Sequence, residues 1–280
     1  METIYLILVI VLFTLAISDL IVGVSNDAVN FLNSAIGSKA ASFRTIMIIA
    51  GLGVLAGATF SSGMMEVARK GIFHPEMFYF KEIMIIFLAV MLTDVILLDV
   101  FNTMGLPTST TVSIVFELLG AAVAVSLLKA VEAPDTELYE YINTGKALAI
   151  IAGILLSVVV AFALGAIVQY FTRLIFSFKY RNTLKYYGSI WGGLAITAIT
   201  YFILIKGAKG SAFITADQHQ WIQENAFMIL LVSFLAWSLL LQLLSYVVKF
   251  NILKIIVLVG TFALAMAFAG NDLVNFIGVP

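Results

Sequence analysis

Gly23-Val24-Ser25-Asn26-Asp27-Ala28-Val29-Asn30-Phe31 closes the first apolar run of the chain, and Ala269-Gly270-Asn271-Asp272-Leu273-Val274-Asn275-Phe276 closes the last. Both stretches read Asn-Asp-x-Val-Asn-Phe behind a small residue, and both follow runs long enough to cross a bilayer. An ionised side chain at mid-membrane costs several kcal/mol, roughly 2.5–3.5 on insertion scales. A chain that accepts this cost twice, in the same order of residues, is using those groups. The pair is read as a site for a substrate and an ion.

Working outward, composition sets the class. Hydrophobic residues make up 62% and charged residues 11%, against about 45–50% and about 25% in a soluble domain. With a mean hydropathy of +1.10, this is an all-α polytopic membrane protein. The net charge of −1 gives no reason to expect a nucleic-acid partner. The absence of cysteine removes disulfides, thiol nucleophiles and Cys-based metal sites. Both histidines, His74 and His219, fall in polar loops. The start, Met1-Glu2-Thr3, lacks a basic n-region, and the run behind it is too long for a signal peptide. It is read as a retained span.

About 20 helical residues cross a ~30 Å hydrocarbon core. Eight such runs lie near 4–24, 43–65, 83–104, 108–128, 147–171, 186–205, 227–248 and 252–270. The first does not stop there, because its helical pattern continues to Gly37-Ser38-Lys39. A helix from 4 to 36 would be about 50 Å long, too long to span upright. A break at Gly23 to Asn26 is therefore expected, followed by a re-entrant or half-length helix. The 172–185 loop carries Arg173, Lys179, Arg181 and Lys185 without an acid, which makes it cytoplasmic by the positive-inside rule. Residues 66–82 are mixed in charge and residues 132–140 are acidic. Gly51-Leu52-Gly53, Gly57-Ala58, Gly153 and Gly192-Gly193 are small enough to let helices approach closely.

The two motifs are 245 residues apart, ending spans one and eight. An odd offset of seven spans sends them through the membrane in opposite directions. That is the inverted-topology arrangement of many secondary transporters, whose ligands bind near the midplane. Residues 1–130 are read as the first inverted-repeat unit and 131–250 as connecting transmembrane helices. Residues 251–280 are then the start of a second repeat.

A second polar constellation lies between spans three and four, at Gly105-Leu106-Pro107-Thr108-Ser109-Thr110-Thr111. Proline at a first helical position among hydroxyls is a helix-start signal. Such an end offers free N–H groups and the positive end of the helix dipole to an anion. The plainer reading is a loop whose hydroxyls only cap span four. No Lys or Arg is embedded nearby, so an oxyanion would be held by neutral donors. Asn26 and Asn30 share a helix face, with Asp27 three residues from Asn30. Carboxamides can donate to phosphate oxygens or lend a carbonyl to a cation. Asp27 suits sodium or, when protonated, carries a proton. A protonated phosphate could donate to such a carboxylate and sulfate could not, which favours phosphate. Asp19, Asp94, Asp99 and Glu117 are further acids in the spans. They belong either to the ion path or to water-filled interfacial positions, and Asp94 and Asp99, five apart, do not share a face.

Together, Asn-Asp-x-Val-Asn behind a small residue, twice, and Gly-Leu-Pro-Thr-Ser-Thr-Thr resemble the inorganic phosphate transporter (PiT) family. Those proteins carry Gly-x-Asn-Asp-Val-x-Asn in each inverted half and a Pro-x-Ser-Thr-Thr element after it. The resemblance implies sodium- or proton-coupled phosphate symport, with the repeats rocking or moving as an elevator. By matching position, it places phosphate at Asn26, Asn30, Ser109, Thr110, Thr111, Asn271 and Asn275. Asp27 and Asp272 would hold the coupling ion, Na+ or H+, and there is no cofactor. Partners would be inorganic phosphate, the ion and the lipid bilayer of a plasma or inner membrane, and a homodimer is one compatible assembly. Three departures stand out: Ser25 for an Ala-like residue, Val112 where His commonly follows Ser-Thr-Thr, and Glu117 for a small or apolar residue. No second Pro-x-Ser-Thr-Thr element precedes Pro280, so a truncated second repeat is expected. A channel-like pore and a non-transporting membrane subunit are the competing readings. An enzyme is disfavoured, since the spans hold no His or Cys.

Overall fold

Apolar runs this long satisfy their backbone in lipid only as helices or closed barrels, and here they are helices. The computed structural model describes residues 2–60, 71–132, 138–177, 180–207, 215–247 and 251–273. Eight main helices follow in order: α1 Glu2–Gly37, α2 Phe43–Phe60, α3 Phe80–Met104, α4 Thr110–Glu132, α5 Thr144–Ile175, α6 Tyr180–Tyr201, α7 Ala226–Val247 and α8 Ile252–Asn271. Among the described residues seven are long and apolar enough to cross a membrane, and Phe43–Thr59 is a shorter apolar helix. The eight-run reading therefore holds in outline. A π-helical turn, Phe202–Gly207, extends α6, and a short helix, Ala216–Glu224, precedes α7.

The chain forms two compact units whose segments alternate in sequence. One contains residues 1–30, 63–156 and 271–280, and the other 31–62 and 157–270.

In the first unit, α3 and α4 form an antiparallel hairpin fixed at both ends. At the open end Lys129 Nζ meets Glu82 Oε2 at 2.7 Å and lies over the Tyr79 ring, 4.6 Å from its centre. The other oxygen-bearing role of Glu82 is local, since the same carboxylate accepts the Tyr79 N–H at 2.7 Å and caps α3. Phe78 packs edge-on against Phe73 and Tyr141, beside an isolated antiparallel bridge between Phe73 and Ile142. At the closed end α3 stops at Gly105, which has φ +68°. Gly105 N–H reaches Asn102 O at 3.0 Å and Leu106 N–H reaches Phe101 O at 2.9 Å, the two bonds of a Schellman motif. Only glycine takes this left-handed conformation without steric cost.

In the second unit, small residues set the spacing of helices as expected. A Cβ on Gly53 would lie 2.5 Å from Phe262 O and 2.9 Å from the Ala265 Cβ. A Cβ on Gly57 would overlap Met266 O and lie 2.7 Å from the Ala269 Cβ, so α2 and α8 touch backbone to backbone. Gly192 and Gly193 do the same for α6 against Leu241 and Ser238 of α7. Gly51 and Gly153 face open space, so those two glycines serve no close approach among the described residues. Ile196, Leu241 and Ile252 form the buried core of this unit. Helix α5 exposes Leu155, Leu156, Val158, Val159 and Phe162, the all-round apolar surface of a helix in lipid.

Two local expectations are corrected. Helix α1 runs without a break from Glu2 to Gly37, about 54 Å at 1.5 Å per residue. One glycine costs about 1 kcal/mol in a helix interior, whereas each backbone group left unpaired in lipid costs several. The polar side chains also leave the ladder intact: Ser25 Oγ folds back onto Ile21 O at 2.7 Å, and Asn26 and Asp27 bond to other segments. The second correction concerns Pro107, which is not the first residue of a helix. Helix α4 starts at Thr110, with Ser109 as its cap: Ser109 O accepts the Ser113 N–H at 3.0 Å and its hydroxyl accepts the Val112 N–H at 3.4 Å.

Candidate functional site

The Schellman turn directs residues 106–109 across the face of α1 that carries Asn26. There the Asn26 carboxamide acts as a clamp. Its Nδ2 donates to Leu106 O at 3.1 Å and to Asn102 Oδ1 at 2.9 Å. Its Oδ1 accepts the Thr108 N–H at 2.8 Å. Asn102 in turn donates to Val22 O at 3.0 Å, locking the last turn of α3 to α1. Both amide hydrogens of Asn26 are thus engaged within the protein, and the residue is buried. Proline suits the middle of this segment because it needs no N–H there.

One residue further round α1, Asp27 is also buried. Its Oδ2 accepts the Thr110 hydroxyl at 3.0 Å and its Oδ1 accepts Asn30 Nδ2 at 3.1 Å. Thr110 is 1% exposed, so this hydroxyl serves the carboxylate and not solvent. Next along α4, Thr111 Oγ1 donates to Asp272 Oδ1, in the second motif. Asp272 is close enough to Asp27 for the two charges to interact. Asn30 and Ser109 are exposed at the same place. Of the residues expected to form the site, Asn26, Asp27, Asn30, Ser109, Thr110, Thr111 and Asp272 are brought together. Asn271 ends α8; its side chain, and all of Asn275, lie outside the described residues.

The other span acids separate into two groups. Asp99 is exposed, whereas Asp19 and Asp94 are fully buried. Asp94 Oδ1 accepts the Ser113 hydroxyl at 2.6 Å, and Ser113 Oγ also stands 2.8 Å from Glu117 Oε1. Asp19 faces Asp94 and Glu117. Asn102 and Ser113 were not singled out from the sequence. The signal for Asn102 was available: it lies three residues before the glycine that ends α3, where a side chain meets whatever the chain crosses next. Ser113 follows Thr110 by one helical turn and precedes Glu117 by another, on one stripe. Among the described residues no group of three or more His, Cys, Asp or Glu is arranged to hold a metal ion.

The profile of the phosphate transporter family matches residues 23–280. A protein of Pyrococcus abyssi named, on inference, a phosphate permease is 27% identical over 270 residues, covering 91% of this chain and 61% of its own length. Its counterpart in Thermococcus kodakarensis, named in the same way, is 27% identical over 269 residues with the same coverage. A solved structure titled the sodium-dependent phosphate transporter superposes with a TM-score of 0.73 at 19% identity. That likeness covers 96% of this chain and 66% of the other, and it shows the fold. The chain spans about 61% of the length of the curated relatives it matches. Its apolar helices make it a multi-pass membrane protein, and its family is one of transporters, not enzymes. With the profile running from the glycine of the first Asn-Asp motif through the hydroxyl loop to the second motif, the chain belongs to the phosphate transporter family.

Proposed function

We propose that the chain carries inorganic phosphate across a membrane together with a cation, by a site built where the three motifs meet. One observation carries this reading: adjacent threonines at the start of α4 bond to the aspartates of both Asn-Asp motifs, Thr110 to Asp27 and Thr111 to Asp272. Two acceptor-only carboxylates beside a helix N-terminus suit a cation and an oxyanion bound as neighbours, each screening the other. Asn30, Ser109, Thr110 and Thr111 are the donors proposed for phosphate, with Asn271 and Asn275 added from the second motif. Asn26, whose amide hydrogens hold residues 102 and 106, acts here by positioning the loop. Asp27 and Asp272 are the proposed ligands of the coupling ion. The likeness to a protein titled sodium-dependent favours Na+ at this pair. The inverted relation of the two motifs supports an alternating movement of the repeats.

The test is uptake of radiolabelled phosphate by proteoliposomes holding the 280-residue chain, under an imposed sodium gradient and without one. Saturable uptake that follows the gradient is expected, with Asp27→Asn abolishing it while the protein still inserts. The pair Thr110→Val and Thr111→Val should weaken equilibrium phosphate binding at least tenfold, since the isosteres remove both hydroxyls. Uptake by Asp27→Asn at the wild-type rate would remove that carboxylate from the mechanism. Stepwise single-channel currents would replace the carrier reading by a pore.

A further inference from the structure

Below the Asp27–Thr110 pair, the polar stripe continues into the protein. Asp19 lies eight residues before Asp27 on α1, about 12 Å along the axis. Ser113 and Glu117 follow Thr110 on α4 by three and seven residues, and Asp94 comes in from α3. Asp19 is 0% exposed and neither of its carboxyl oxygens has a hydrogen-bond partner. It faces Asp94 and Glu117, each of which also has one buried oxygen without a partner.

We propose that Asp19, Asp94 and Glu117, bridged by Ser113, form a proton-binding site separate from the ion pair at Asp27 and Asp272. The hydrogen count requires at least one proton. Ser113 Oγ stands 2.6 Å from Asp94 Oδ1 and 2.8 Å from Glu117 Oε1, yet a hydroxyl has a single hydrogen to donate. The second contact is a hydrogen bond only if one carboxyl brings a hydrogen of its own. Asp19 facing two further carboxyls makes the same demand, because two ionised carboxylates cannot bond to each other.

A metal cation fits this geometry less well. Oxygens that share a hard cation stand about 2.3–2.6 Å from it, which keeps neighbouring ligands further apart than 2.6–2.8 Å. Nor is there a basic partner to balance three charges. On α1, α3 and α4 the charged groups facing the cluster are its own members and Asp27. Lys129 is paired with Glu82, twelve residues from Glu117 on α4, about 18 Å along the axis. A chain of buried carboxyls without bases is the arrangement of a proton relay. Resting on the phosphate-symport reading, the site would add a proton to the ion moved with phosphate, so that uptake depends on pH through residues that never touch the anion.

Infrared spectroscopy of the solubilised chain tests the proton without requiring transport. A protonated-carboxyl C=O band is expected at neutral pH, present in Asp27→Asn and reduced in Glu117→Gln and in Asp19→Asn. Ser113→Ala, which keeps all the acids, should shift that band by removing its hydrogen-bond partner. Absence of the band in the wild type, or its loss on titration with NaCl at constant ionic strength, would overturn the proposal. In proteoliposomes, Glu117→Gln should retain phosphate uptake with its pH dependence flattened, and an unchanged pH profile would overturn the coupling. If the wild type takes up no phosphate but shows the band, the transport reading fails and the proton site stands.

Discussion

Replacing Asn26 by leucine should release the loop that carries the hydroxyls while leaving α1 helical. The substitution preserves approximate volume and deletes three hydrogen bonds: to Asn102 Oδ1, to Leu106 O and from the Thr108 N–H. Side-chain hydrogen bonds inside membrane proteins average about 0.6 kcal/mol each, so the three together hold the loop with roughly 2 kcal/mol. At 1.4 kcal/mol per tenfold, the loop should open about 25 times more often. Backbone hydrogen exchange of a peptide covering residues 106–109 reads this opening, because Pro107 has no amide and the Thr108 N–H bonds to Asn26. Asn102→Ala removes one of the three contacts and should speed exchange only about threefold on the same scale. Exchange at 106–109 unchanged in Asn26→Leu would refute the view that this carboxamide positions the loop. A rise confined to α1 would refute it equally, since the damage would then be to the helix.

Packing in the second unit gives a contrasting pair. Gly57→Ala places a methyl group against Met266 O and the Ala269 Cβ and should lower the melting temperature in detergent, as overpacking costs about 1–3 kcal/mol. Gly51→Ala, with nothing within 4 Å, should raise it slightly, because glycine in a helix interior costs about 0.5–1 kcal/mol relative to alanine. In the first unit, Lys129→Met should lower stability by about 1–2 kcal/mol through loss of the Glu82 pair and the Tyr79 ring contact. Adding Glu82→Gln to that variant should cost less than Glu82→Gln alone, and strictly additive losses in a double-mutant cycle would show that the two side chains do not interact.

Much of this arrangement was legible in the residues. Hydropathy marked the helices because lipid leaves the backbone no alternative, and the paired motifs pointed to the site because polar groups are rare at that depth. What misled was helix length. The break expected at Gly23–Asn26 came from the span of a bilayer, yet the backbone's need for internal hydrogen bonds outweighs upright fit, and a long helix can tilt. Pro107 misled in the other direction: its signature is that of a helix start, but Leu106 O and the Thr108 N–H are held by Asn26, which keeps the segment extended until Ser109. That bond joins residues 82 apart in the chain, and no local pattern reports it. The cluster of Asp19, Asp94 and Glu117 was visible only as separate acids, since their convergence depends on the register between three helices.

Gly105 offers experimental control over this region. Its φ of +68° is one that side chains resist, yet a Cβ there would meet nothing within 4 Å. Substitution therefore introduces backbone reluctance without a collision, and that reluctance can be graded. Asparagine tolerates the left-handed region best, alanine less well, and valine poorly. A series through these three would turn the preorganisation of the hydroxyl loop into an adjustable variable. Phosphate affinity plotted against it would reveal how much of binding is geometry settled before the anion arrives.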